Sequence, residues 1–66
     1  MSVREVIKML ENNGWQQVRQ AGRHRQFRHP SKPGTVTVAG RRGADVKRGT
    51  LANIRRQAGL KKGSQE

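Results

Sequence analysis

The sequence predicts an α+β fold in the order α-β-β-β-α, a three-stranded antiparallel sheet with both helices on one face. Three observations predict it. An apolar stripe at helical spacing opens the chain, a second one closes it, and three strand-like segments separated by Gly- and Pro-containing turns run between them. Two helices with one apolar stripe each need a shared surface, and one face of such a sheet supplies it while the other stays in water.

The first helix is read from SVREVIKMLENNG, residues 2–14. Ser2 followed three places later by Glu5 has the form of a capping box, Val3, Val6, Ile7 and Leu10 share one stripe, and Gly14 supplies a left-handed stop. WQQVRQ, 15–20, follows as a strand, Ala21 and Gly22 as a two-residue turn, and RHRQFRH, 23–29, as the second strand of a hairpin. PSKPG then punctuates the chain. In TVTVA, 35–39, Val36 and Val38 alternate with Thr35 and Thr37, which makes a third strand.

Residues 40–49, GRRGADVKRG, read as a Gly-flanked basic loop. TLANIRRQAG, 50–59, reads as the second helix, with Thr50 as N-cap, Leu51, Ile54 and Ala58 on one stripe and Gly59 as the stop. The expected organisation is one domain over residues 1–60 and a frayed basic tail over 61–66.

Composition narrows the function. A chain of 66 residues is expected to bury only about 60% of the surface its unfolded form exposes, so the core is thin. With 30% hydrophobic residues, one Trp, one Phe and no Tyr, little apolar material is left to line a deep pocket; no cofactor is expected and function belongs on the surface.

Fifteen Lys and Arg against four Asp and Glu give a net charge of +11, which points to a polyanionic partner, nucleic acid first. An anionic membrane fits less well, because the arginines are spread through strand-like and turn-like segments rather than along one helix face. The absence of cysteine excludes disulfides and thiolate metal sites and fits a reducing compartment. No apolar run approaches the roughly 18 residues of a membrane span, and a cytoplasmic location is expected.

Residues 22–30, GRHRQFRHP, hold both histidines. If Phe27 points to the helices, then His24, Gln26 and Arg28 point to the open face and His29 to the opposite side. That parity opposes a two-histidine acid-base pair, and with no cysteine and no carboxylate nearby it also opposes a metal site. His29 reads as a turn residue beside Pro30. His24 reads in two ways, as a general acid or base or as a polar strand residue that touches phosphate.

The run Gly14-Trp15, Val18-Arg19-Gln20, Gly22, His24, Phe27 and His29-Pro30, followed by GTVTV and KRGTLANIRRQAG, resembles the HicA-type mRNA interferase toxins over about residues 3–60. The resemblance implies a fold like that of double-stranded-RNA-binding domains, metal-independent cleavage of mRNA, and neutralisation by a HicB-type antitoxin. It also implies that His24 is the catalytic residue. Where such proteins commonly carry a small hydroxyl residue before that histidine, this chain has Arg23.

Among the cations, Arg28 shares the expected face of His24 and is the candidate to hold the scissile phosphate. Arg23 and Arg25 have the other parity and reach RNA only if the strand end is irregular or their long side chains curl round the edge. Arg41, Arg42, Lys47 and Arg48 precede the second helix, whose free N–H groups also suit phosphate, and they read as RNA-tracking residues. Trp15 reads as core rather than as a base-stacking platform. A non-catalytic module that binds double-stranded RNA is the alternative the same charge and fold support.

Overall fold

The computed structural model describes residues 1–60 of the 66. The elements are α1 (Val3–Asn12), β1 (Gln16–Ala21), β2 (His24–Arg28), β3 (Val36–Ala39) and α2 (Arg48–Ala58). The strands form one sheet in the order β1-β2-β3, antiparallel at both junctions. This is the expected α+β arrangement. The basic tail expected over 61–66 lies outside the described residues. No helix among the described residues is long and apolar enough to cross a membrane.

Local chemistry sets the ends of α1. Ser2 Oγ accepts from the Glu5 amide at 3.2 Å and Glu5 Oε1 accepts from the Ser2 amide at 2.7 Å, which closes the capping box. The two bonds to Ser2, the backbone one first, hold the Glu5 carboxyl below its ordinary value of 4.5. At the other end Gly14 takes φ +90°, the Gly14 amide donates to Glu11 O at 3.1 Å, and the Trp15 amide donates to Leu10 O at 3.0 Å. This is a Schellman closure, and its hydrophobic partners Leu10 and Trp15 are both buried.

Both helices cover the same face. Val3, Val6 and Leu10 of α1, Ile54 and Ala58 of α2, and Trp15, Phe27, Val36 and Val38 form a single core. Ile7 and Leu51, expected inside, lie half-buried at its edge. Fully burying a side chain of the Val, Leu or Phe class contributes about 1.5–3 kcal/mol, so this small core holds the fold with little to spare.

Two local expectations are corrected. The hairpin turn is Gly22-Arg23 rather than Ala21-Gly22, because Ala21 pairs with His24. Gly22 has φ +58° and Arg23 does not have positive φ, the pattern of a type II′ turn with glycine first. Arg23 therefore belongs to the turn, and β2 ends at Arg28, before His29.

The N-cap of α2 is Lys47 in extended conformation, not Thr50, which lies in the first turn. The chain ahead of it is pinned: Val3 N–H donates to Ala44 O at 2.9 Å, Val46 N–H to Met1 O at 2.7 Å, Asp45 pairs with Ser2, and Val46 packs on the core. These ties fix where the chain turns, and they outweigh a threonine cap worth about 1 kcal/mol.

Candidate functional site

The open face of the sheet is built in ranks by strand register. Along β2, Arg25 and Phe27 are buried under the helices, whereas His24 and Arg28 are exposed and Gln26 is half-buried on the opposite side. Cross-strand partners share a face, so the first rank is Ala21, His24 and Ala39, the second Arg19, Gln26 and Thr37, and the third Gln16 and Arg28. His24 is thus flanked on both strands by alanine, and nothing bulky beside it obstructs the imidazole.

Arg19 lies on this face next to a β-bulge. Gln17 pairs with Phe27, but the next pair is Arg19 with Gln26, so Val18 is the extra residue and stands 56% exposed. Regular pairing counted from the turn sets Arg19 opposite Gln26, and the extra residue shifts the pairs beyond it, so that Gln17 rather than Val18 opposes Phe27. The pairing with Gln26 sets Arg19 diagonally from His24, about 7–8 Å away and within reach of a long side chain. Arg28, four residues along the strand, is about 13 Å from His24 at 3.3 Å per residue, so it is the more distant cation.

A second group of cations gathers at the His24 end of the sheet. The Gly40 amide donates to Arg23 O at 3.0 Å, which ties the hairpin turn to the exit of β3, and Arg41 follows directly. Arg42 turns toward α1, where its carbonyl accepts from the Arg4 amide at 3.0 Å and it lines a cleft with Lys8 and Glu11. Arg23, Arg41 and Arg42 are exposed. Of the described acidic residues, Glu5 is held in the capping box of α1, Glu11 lies on α1 in the cleft that Arg42 lines, and Asp45 pairs with Ser2. The open face is cationic and polar.

Arg25 differs from the other arginines. It is 7% exposed, faces the helices, and donates from Nη1 to Gly40 O at 2.9 Å, while its Nε is buried without a partner among the described residues. Lys47 and Arg48 also stand apart from His24, on a groove lined by α2 and the N-terminus.

The two histidines occupy opposite environments. His29 Nδ1 accepts from the Ser31 amide at 3.0 Å and the Lys32 amide at 3.2 Å, which leaves the proton on Nε2 to be donated to Asn13 O at 3.0 Å. Its ring meets Trp15 edge-on at 5.3 Å. A Cβ on Gly14 would stand 2.7 Å from His29 Nε2, so the approach of this ring requires glycine there. His24 has no hydrogen bond from either ring nitrogen among the described residues; the histidine bonds are all those of His29.

Sequence reasoning brought His24, Gln26 and Arg28 to one face but omitted Arg19. Pairing counted outward from the hairpin turn would have found it, since Arg19 falls on the His24 side whether the turn is 21–22 or 22–23. The burial of Arg25 followed from parity, but its bond to Gly40 depends on the path of the loop after β3.

Comparison with protein families matches residues 3–60 to the family described as HicA toxin of bacterial toxin-antitoxin. No curated protein matches the chain.

Proposed function

The chain belongs to the HicA toxin family of bacterial toxin-antitoxin systems, and from that premise we propose that it is an endoribonuclease that cleaves mRNA with His24 as general acid or base. The observation that carries this reading is the contrast between the histidines. His29 spends both ring nitrogens on the backbone, whereas His24 stands unengaged between two alanines on an open cationic face.

RNA brings its own nucleophile. A base removes the 2′-hydroxyl proton, the 2′-oxygen attacks the adjacent phosphorus, and the bond to the 5′-oxygen breaks as that oxygen gains a proton. The products are a 2′,3′-cyclic phosphate and a 5′-hydroxyl. An imidazole of ordinary pKa near 6.5 suits either proton transfer and contributes roughly 10²- to 10⁴-fold. The step asks no metal of the protein, since the attacking oxygen belongs to the substrate.

Charge grows on the phosphate oxygens as the 2′-oxygen attacks, and a guanidinium held nearby stabilises it. In this reading Arg19 holds the scissile phosphate, because it is diagonal to His24, and Arg28 holds a neighbouring one. Arg23 and Arg41 guide the strand past the His24 end of the sheet, and Arg42 extends the cationic surface toward α1. Arg25 serves the fold. Lys47 and Arg48 belong to a different surface.

The test is incubation with single-stranded RNA in excess chelator, followed by analysis of the new ends. Fragments ending in cyclic phosphate support the nuclease. RNA that stays intact while binding reversibly, with preference for duplex, supports the alternative of a non-catalytic double-stranded-RNA-binding module.

A further inference from the structure

A groove of about 1080 Å³ runs along α2 on the side remote from His24, open to solvent and larger than the usual small-molecule pocket. Its apolar lining includes Val46, Leu51, Ala52 and Leu60, and its cations are Lys47, Arg48, Arg55 and Arg56. The sequence of α2 contains no acid. Among the described residues the one carboxylate on the rim, Asp45, is 90% exposed and stands 3.9 Å from the N-terminal amine. Arg55 adds a buried Nε without a partner among the described residues.

An apolar floor within a cationic rim recognises a segment with the opposite pattern, apolar anchors flanked by carboxylates. Three other occupants match it poorly. RNA would find no exposed aromatic to stack on, since Trp15 and Phe27 are both in the core. The six residues after Leu60, KKGSQE, bring two lysines and no apolar side chain. A second copy of this chain brings a net charge of +11 and four acidic residues in all, of which Glu5 is engaged in the capping box.

We infer that this groove is a second docking site for the antitoxin, taking an acidic amphipathic segment of it while another part covers the open face. The inference rests on the toxin-antitoxin reading above. Two sites joined through one partner raise its effective concentration at the open face, so occlusion persists at toxin levels where contact at one face alone would lapse.

The chain has no cysteine, so a single thiol reports on each surface in turn. Ala52→Cys in the groove and Thr37→Cys on the open face each receive a thiol-linked photo-cross-linker, and the toxin is then bound to purified cognate HicB antitoxin and irradiated. The expected result is a cross-link from position 52 to an antitoxin segment that alternates apolar and acidic residues. In parallel, Leu51→Glu and Arg56→Glu each weaken antitoxin binding by about tenfold or more, with RNA cleavage by the free toxin unchanged.

A cross-link from position 37 with none from position 52 overturns the groove site and leaves occlusion of the open face standing. The reverse pattern supports the groove and contradicts occlusion. The absence of both overturns both. Protection of the position-52 label by anionic vesicles or RNA, but not by antitoxin, also overturns the inference.

Discussion

His29 donates from Nε2 to the carbonyl oxygen of Asn13 at 3.0 Å and thereby fastens the end of β2 to the end of α1. The same ring accepts two backbone amides through Nδ1 and packs edge-on against the buried Trp15. Replacing it leaves three backbone groups short of a partner. His29→Ala is expected to lower stability by about 1–3 kcal/mol, read by urea unfolding, while folded protein retains its RNA cleavage per molecule. A stable variant that has lost cleavage would reverse the roles assigned to the two histidines.

Arg25 holds the loop after β3 from inside, through its 2.9 Å bond to Gly40 O. Arg25→Met keeps much of the side-chain volume but leaves that carbonyl unpaired. We expect a loss of about 1–3 kcal/mol in unfolding free energy and no change in the salt dependence of RNA binding. A shallower salt slope with unaltered stability would move Arg25 to the RNA surface.

Arg19 pairs with Gln26 and so occupies the open face, diagonal to His24. RNA affinity should fall with salt by about 0.7 log units per log unit for each phosphate held on a single strand, and Arg19→Ala should reduce that slope by about one such contact. Arg19→Ala should also slow cleavage at saturating RNA, because the guanidinium is assigned to the scissile phosphate. Arg41→Ala with Arg42→Ala should lower the slope and leave the saturated rate nearly unchanged. Equal effects of the two changes on the saturated rate would contradict the separation of roles.

Glu5 links the stability of α1 to acid. Its carboxyl lies below its ordinary value of 4.5 in the folded chain, held there by Ser2, so the unfolded chain binds the proton more tightly. The stabilisation is therefore complete above that ordinary value and is lost as pH falls through the folded one. Glu5→Gln retains the form of the capping box without the charge. Between pH 6 and about pH 3 the wild type should lose more stability than Glu5→Gln does, measured by thermal unfolding at each pH. Parallel losses in the two proteins would place the acid sensitivity elsewhere.

Much of this architecture was legible in the sequence, and the departures have local causes. Ser2 with Glu5, and Gly14 with Trp15, mark both ends of α1 through interactions between near neighbours in the chain. The alternation around Phe27 separates His24 from His29 without knowledge of the rest of the fold. Thr50 misled because ties between 44–46 and the N-terminus decide where α2 begins, and those ties are long-range. The bulge at Val18 has no glycine or proline to announce it. The groove along α2 depends on how that helix sits against the N-terminus, which residue spacing does not convey.

The central claim is that His24 moves a proton during RNA cleavage. It is tested most directly by single-turnover cleavage of single-stranded RNA, in excess chelator, by the wild type and by His24→Ala, with the thermal unfolding midpoint of each protein measured alongside. Because His24 is exposed and flanked by alanine, the unfolding midpoints should agree, and the cleavage rate of the variant should fall by about 10²-fold or more. A folded His24→Ala protein that cleaves at the wild-type rate and yields the same cyclic phosphate ends would contradict it.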